Sequence, residues 1–150
     1  MIEIITKKEL SACADCACFN IRKASRVVTQ HYDEMMSPTG LRGTQFSILV
    51  VASIFGKITI SVLADKLVMD RTTLTRNLKP LEKQGMIQVV PGQDRRTRAV
   101  RLTESGQQTL AEALPLWQAA QKKLIDKMGQ QRFGYLISEL NAIEKIAVNN

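Results

Sequence analysis

The stretch LADKLVMDRTTLTRNLKPLEKQGMI, residues 63–87, contains two short helical patterns joined at an acidic residue. Its apolar residues recur every three or four positions, which predicts one helix over about 60–67 and a second over about 71–84. Asp70 is a preferred N-cap residue for the second helix, and Gly85 is typical of a helix C-terminus. The stretch therefore predicts two helices separated by a tight turn.

A β-hairpin is predicted directly after these helices. Residues 86–90 (MIQVV) and 98–103 (RAVRLT) read as strands, and the turn-forming residues PGQD at 91–94 lie between them. The tip of this hairpin carries four charged residues, Asp94, Arg95, Arg96 and Arg98. Two helices joined by a turn and followed by a basic hairpin are the outline of a winged helix-turn-helix.

Longer helical patterns flank this central unit on both sides. We expect helices over 8–36 and 44–53 before it, and over 104–128 and 131–148 after it. The fold class is therefore mainly α (α+β). The terminal helices carry apolar stripes longer than a compact domain of this size needs, so we expect a partner chain to cover them.

Positive charge is concentrated in the central unit. The net charge of the chain is +7, and residues 57–101 hold ten lysines and arginines against four acidic residues. A concentrated positive field is the electrostatic pattern of a protein that binds a polyanion. The alternative is a merely solvated basic surface.

The start of the second central helix carries the residue types that contact DNA. A recognition helix enters the major groove with its N-terminal residues against the base edges. Small hydroxyl side chains let the backbone approach DNA, and a guanidinium group can read guanine. The candidates at this end are Arg71, Thr72, Thr73, Thr75 and Arg76. An arginine at the hairpin tip is expected over the negatively charged minor groove.

Three ordered motifs resemble the MarR family of bacterial transcription regulators. They are GLRGTQFSIL at 40–49, the stretch at 63–87, and QDRRTRAVRLTESG at 93–106. The last contains a D-x-R pattern, Asp94 and Arg96, followed by LT-x-x-G. The resemblance extends over nearly the whole chain.

The resemblance implies a homodimer that binds double-stranded DNA. A single MarR-type domain would cover residues 1–150. Its dimerisation helices would be about 1–36 and 107–150, and its winged-helix DNA-binding region about 41–106. Such a dimer would read a pseudo-palindromic operator with half-sites roughly 10 base pairs apart.

Individual roles also follow from the resemblance. Thr72, Thr73 and Arg76 would face the major groove, and Arg96 would enter the minor groove. Asp94 would hold Arg96 through a charge-assisted bond. The chain departs from the family pattern at two places. At Arg42 and Gly43, the helix expected over 44–53 should begin differently. At Pro80, we expect a kink in the recognition helix.

Relatives of this kind imply steric repression that a small aromatic or phenolic effector relieves. Four residues of the first helix would border the effector pocket, namely Arg22, Arg26, His31 and Tyr32. A core or interface role is the alternative for each of them.

All three cysteines of the chain lie in the segment CADCAC, residues 13–18. One hypothesis is redox sensing, because Cys18 falls at the position of the reactive cysteine in the similar hydroperoxide-sensing OhrR branch. A metal site is a second, although on a continuous helix Cys16 and Cys18 would point about 160° apart. The third hypothesis is packing of Cys13, Cys16 and Cys18 as small apolar residues at a dimer interface.

Several other classes of function are disfavoured. The chain has one histidine and no nucleophile, phosphate-binding or dinucleotide-binding motif, so we do not expect an enzyme. We expect no cofactor, and no metal is expected outside the cysteine segment. It has no apolar run that could span a membrane and no signal-peptide pattern at its start, which favours the cytoplasm. An architectural, nonspecific DNA-binding protein without an effector remains the alternative function, and a protein–protein adaptor is a third.

Overall fold

The computed structural model describes residues 5–94 and 96–148 as a mainly helical fold with one small sheet, which confirms the predicted fold class. The elements are α1 Lys7–Ser11, α2 Ala17–Met36, α3 Gly43–Phe55, β1 Lys57–Thr59, α4 Ile60–Lys66, α5 Arg71–Lys83, β2 Ile87–Pro91, β3 Arg98–Leu102, α6 Glu104–Met128 and α7 Gln130–Val148. Short 3₁₀ turns lie at Ala12–Asp15 and Ser37–Thr39. In this part of the chain no helix is long and apolar enough to cross a membrane.

The sheet has three strands, whereas the sequence predicted a two-stranded hairpin. The strand order is β1-β3-β2, and both pairings are antiparallel. β1 pairs with β3 through Lys57 opposite Arg101 and Ile58 opposite Val100. β1 has three residues, too few for an alternating apolar pattern to be recognised in the sequence. It forms because β3, which is distant in sequence, pairs with it.

The predicted single helix over 8–36 is wrong. It is divided into α1, a 3₁₀ turn and α2, with Cys16 in an extended conformation at the junction. The Asn20 side-chain amide donates to the carbonyl oxygens of Ala14, at 2.7 Å, and of Cys16, at 3.0 Å. The bond to Ala14 stabilises the junction because it uses a carbonyl group that a continuous helix would have bonded internally, whereas the Cys16 carbonyl also accepts the Asn20 backbone N–H at 3.0 Å.

A leucine-rich core fixes the position of α5. Leu74, Leu78 and Leu81 repeat along one side of the helix and are buried, with exposed fractions of 0 to 3%. They pack in the same cluster as Leu49 of α3 and Val100 of β3. The opposite side of α5 consequently faces solvent.

A carboxylate from α2 caps the start of α3. Asp33 Oδ1 accepts a hydrogen bond of 2.6 Å from the Gly43 N–H, and Gln45 Oε1 accepts one of 3.0 Å from the Arg42 N–H. These side chains satisfy two of the free amides of the helix start, as a cap residue would. The start of α3 is therefore capped by Asp33 and Gln45, in agreement with the different helix start expected at Arg42 and Gly43.

The start of α6 packs tightly against the start of the wing hairpin. The Thr103 hydroxyl accepts from the Gly106 N–H at 3.0 Å, and the Thr103 N–H donates to the Met86 carbonyl oxygen at 3.0 Å. A Cβ atom on Gly106 would lie 1.9 Å from that same carbonyl oxygen. Only glycine fits this position without a backbone shift.

We predict that Gly106→Ala lowers the free energy of unfolding by about 1–3 kcal/mol, because the methyl group overpacks a backbone contact. The measurement is urea unfolding followed by circular dichroism. Gly134→Ala is the matched control, since a Cβ there meets nothing within 4 Å. That change in α7 should be neutral or stabilising by up to about 1 kcal/mol. Equal effects of the two substitutions would contradict the packing argument.

Candidate nucleic-acid interface

The N-terminus of α5 is fixed by a side-chain cap. Asp70 accepts hydrogen bonds from the Thr73 N–H at 2.8 Å and from the Thr73 hydroxyl at 2.6 Å. The Thr73 side-chain bond, followed by its backbone bond, lowers the pKa of the Asp70 carboxyl below its ordinary value. The cap is therefore a carboxylate at neutral pH, and it holds the first turn of α5 in place.

The residues predicted to contact DNA occupy the first two turns of α5, and they differ in exposure and in hydrogen-bond partners. Arg71, Thr72, Thr75 and Arg76 are exposed, and Thr73 is half-buried. The Arg76 guanidinium lies 3.5 Å from the Thr73 hydroxyl, so the cap also orients this arginine. The Arg71 guanidinium donates to the Ser61 hydroxyl of α4, and the Thr75 hydroxyl donates to the Arg71 carbonyl at 2.7 Å.

The wing turn between β2 and β3 is stabilised by backbone hydrogen bonds. The Gly92 N–H donates to the Thr97 carbonyl oxygen and the Thr97 N–H to the Asp94 carbonyl oxygen, both at 2.8 Å. A Cβ atom on Gly92 would lie 2.0 Å from the Thr97 hydroxyl, so glycine permits this close turn. Arg96 and Arg98 are exposed on the turn and at the start of β3, and Arg95 lies outside the described residues.

The expected bond between Asp94 and the Arg96 guanidinium is absent from this structure. Asp94 Oδ1 instead accepts a hydrogen bond of 2.9 Å from the backbone N–H of Arg96. A carboxylate that bonds the amide two residues on forms a local turn, and this geometry occupies Asp94. Asp94 shapes the backbone of the wing and leaves the guanidinium free.

The positive charge of the central unit is exposed and unneutralised. Every lysine and arginine between residues 57 and 101 that the structure describes is exposed. The ion pair found in the described ranges, Lys122 with Asp126, lies outside this unit. Because these cations lack acidic partners here, they are available to phosphate groups.

A cavity of about 370 Å³ lies among α2, α3 and α6. Tyr32 lines it, its hydroxyl donates to Gln121 Oε1, and burial raises the pKa of this phenol. Trp117 of α6 also lines the cavity and stacks on Phe46 with ring centroids 6.0 Å apart. The lining residues are Val28, Thr29, Tyr32, Met36, Gly43, Thr44, Phe46, Ser47, Leu67, Met69 and Trp117, none of which is charged.

The other three residues predicted for an effector pocket lie elsewhere. Arg22 and Arg26 are exposed on α2 and are not among the lining residues. His31 is half-buried, and its Nε2 lies 3.0 Å from the carbonyl oxygen of Ala120 on α6. Trp117 was missed by sequence reasoning, although a single tryptophan in a helical stripe was an available signal.

Cys13, Cys16 and Cys18 are exposed and free in this structure. Because the helix is interrupted at Cys16, Cys16 and Cys18 do not lie on one continuous helix, and the expected separation of about 160° does not apply to them. The Cys16 N–H donates to the Cys13 carbonyl oxygen at 3.1 Å, which closes a 3₁₀ turn between these two residues. Over the described ranges, no three His, Cys, Asp or Glu side chains are grouped closely enough to hold a metal ion.

The buried α5 stripe, its exposed basic side and the basic wing define a winged helix-turn-helix DNA-binding protein. A profile of the MarR family matches residues 41–97. The chain is 31% identical over 111 residues to an HTH-type transcriptional regulator of Bacillus cereus, covering 74% of either chain. The chain belongs to the MarR family and is a DNA-binding transcription regulator, and these relatives are regulators, not enzymes.

Two further comparisons bear on the site. One similar solved structure is that of the M. tuberculosis transcriptional regulator MosR in complex with DNA. Its sequence is 36% identical to this chain, and the two structures superpose with a TM-score of 0.78. The match covers 89% of this chain and 98% of the MosR chain. The organic hydroperoxide resistance transcriptional regulator of Bacillus subtilis is 29% identical, over 59% of this chain and 61% of that protein. The resemblance to the hydroperoxide-sensing branch thus has a counterpart among the relatives.

Proposed function

We propose that this protein is a homodimeric repressor that binds a pseudo-palindromic operator through α5 and the wing. The observation that carries the proposal is the set of exposed, unneutralised cations beside the capped N-terminus of α5 and on the wing. MosR, which is 36% identical, was crystallised with DNA. α5 would enter the major groove with Arg76, while Arg96 enters the minor groove.

Exposed apolar side chains on the terminal helices support the dimer. Leu136, Leu140 and Ile143 share one side of α7 and are 37 to 45% exposed, and Phe19 of α2 is 56% exposed. Apolar surface of this extent is typical of a protein interaction site. A second copy of the chain would cover it, and the sedimentation coefficient of the free protein tests this assembly.

We predict that the protein binds DNA from upstream of its own gene at least about 10³-fold more tightly than scrambled DNA. The measurement is fluorescence anisotropy at fixed salt. Arg76→Ala should weaken operator binding by about 1–3 kcal/mol and relax sequence preference, because it removes a base contact.

Arg132→Ala is the matched control, since Arg132 is an exposed arginine on α7, outside both α5 and the wing. It should leave the dissociation constant unchanged. If every operator fragment tested binds no better than scrambled DNA, the protein is an architectural DNA binder and the repressor proposal fails.

We also propose that a small, uncharged aromatic or phenolic effector binds the cavity between α2, α3 and α6 and releases the DNA. The lining supplies aromatic faces from Phe46 and Trp117 and hydroxyl groups from Thr29, Thr44 and Ser47. It contains no cation, so a carboxylate there would lose part of its hydration without gaining a positively charged partner. The lining therefore favours a phenol over an aromatic acid.

We predict that 4-methylphenol changes the fluorescence of Trp117 saturably, whereas 4-methylbenzoate does not. Trp117 is the sole tryptophan of the sequence and lines the cavity, so it reports directly on occupancy. Ser47→Phe should abolish the response by filling the cavity. Ser53→Phe, an exposed position of α3 outside the lining, should preserve it. A response to the benzoate, or a response that survives Ser47→Phe, would exclude this site.

Thiol oxidation is a second route of release that we propose. The three cysteines are exposed, and Cys18 precedes Phe19, a residue of the apolar surface assigned to the dimer, so a change there would alter the assembly. An organic hydroperoxide would oxidise one thiol to a sulfenic acid and leave as the alcohol. A second thiol would then displace water to form a disulfide.

We predict that a mild organic hydroperoxide weakens operator binding and that reductant restores it. If Cys18 reacts first, Cys18→Ser should make operator binding resistant to the hydroperoxide. The Cys13→Ser and Cys16→Ser variants then identify which cysteine supplies the second thiol. Anisotropy and a free-thiol titration measure the two effects together. Unchanged binding after full loss of free thiols would assign the cysteines no part in release.

A further inference from the structure

The turn between α4 and α5 holds a valine in an unfavourable backbone conformation. The Met69 N–H donates to the Ala64 carbonyl oxygen at 2.9 Å, and the Val68 N–H donates to the carbonyl oxygen of Asp65 at 3.2 Å. These two bonds form the Schellman motif that ends many helices. The motif places Val68 in the left-handed region, with a φ of +50°. A β-branched residue is disfavoured there because its Cβ crowds the backbone.

The end of α5 has the same motif with a glycine at the corresponding position. The Met86 N–H donates to the Leu81 carbonyl oxygen at 2.9 Å, and the Gly85 N–H donates to the carbonyl oxygen of Glu82 at 3.0 Å. Gly85 has a φ of +74°, which glycine adopts without steric cost. The hydrogen bonds of the motif therefore do not explain the choice of valine at position 68.

Burial does not offset the strain at Val68 either. The residues on either side of it, Leu67 and Met69, are half-buried and pack against the core. Val68 itself is 63% exposed. A strained residue whose apolar side chain stays in water lowers the stability of the free protein, and residues of this kind cluster at functional sites.

Val68 lies beside the end of α5 that the proposed function places against DNA. Three peptide units separate it from Arg71, so the Cα atoms of these two residues are at most about 11 Å apart. The isopropyl group of Val68 can bond neither a phosphate nor a polar base edge. The apolar group that base pairs present in the major groove is the C5-methyl group of thymine.

We infer that Val68 is a specificity-determining residue whose isopropyl group packs on the C5-methyl group of one thymine in each half-site. The inference rests on the proposed function, because it requires α5 to enter the major groove. The contact buries apolar surface only in the complex, whereas the strain is present in the free protein as well. Val68 thus lowers the stability of the fold and raises the preference for the operator.

The strain is tested by changing the corresponding residue of each motif. We expect Val68→Gly to raise the urea midpoint of unfolding by about 0.5 M at fixed protein concentration, because relief of the strain outweighs the added freedom of the unfolded chain. Gly85→Val should lower the midpoint, since a Cβ at Gly85 meets nothing within 4 Å and the change adds mainly backbone strain. A lower midpoint for Val68→Gly would make the valine a packing residue and overturn the inference.

The contact is tested with DNA that lacks thymine methyl groups. The probe is the duplex that the wild-type protein enriches most from a pool of randomised sequence. Each symmetric pair of thymines in it is replaced in turn by deoxyuridine, and fluorescence anisotropy gives the dissociation constant of the whole protein. We expect one replacement to weaken wild-type binding about fourfold per half-site, as for the loss of one buried methyl group. Val68→Gly should bind that duplex and the unmodified duplex equally.

Two further variants separate the side chain from the backbone. Val68→Ile keeps a branched apolar group and should retain the preference for thymine over deoxyuridine. Val68→Asn tolerates the left-handed conformation but presents an amide, so it should lose that preference. A preference that survives unchanged in Val68→Gly or Val68→Asn overturns the inference, because the methyl group is then read by another residue.

The same experiment distinguishes failure of this inference from failure of the proposed function. If the wild-type protein enriches no sequence from the pool, specific operator binding fails and the thymine contact fails with it. If the wild-type protein enriches a sequence but no thymine replacement separates it from Val68→Gly, the thymine contact alone is overturned.

Discussion

The burial of three leucines on one side of α5 is the constraint on which the DNA-binding surface depends. Leu74, Leu78 and Leu81 lie in the core with residues of α3 and the sheet. Because side chains three and four residues apart share a side of a helix, burying this stripe turns the intervening polar residues outward. The direction in which Arg76 points is thus decided by apolar packing, before any DNA is present.

Local hydrogen bonds stabilise the backbone on either side of these arginines, and the guanidinium groups do not donate them. Asp70 caps α5 through Thr73, and Asp94 bonds the Arg96 amide. In both places the acidic side chain binds the backbone, so each arginine keeps its charge for another partner. A direct ion pair would have fixed the guanidinium more firmly but would have to break before a phosphate could bind.

The sequence predicted the elements whose signals are local. The Asp70 cap, the Gly85 stop and the hairpin strands are confirmed, because capping, turn chemistry and alternation act within a few residues. β1 and the cavity were beyond such reasoning, since both are made by residues far apart in sequence. Lys57 meets Arg101, and Tyr32 reaches Gln121. The interruption at Cys16 was missed because apolar periodicity does not reveal a side chain such as Asn20 that bonds carbonyl groups.

The cavity and the DNA-binding unit share an atomic contact. Gly43 lines the cavity, and its N–H is the group that Asp33 caps from α2. Tyr32, the residue before Asp33 on α2, lines the same cavity. A ligand there touches the junction of α2 with α3, and α3 packs on the leucine stripe of α5. A ligand shifts an equilibrium only by its difference in affinity for two states. This junction is a place where such a difference can arise, because displacing α2 would break the bond between Asp33 and the Gly43 amide.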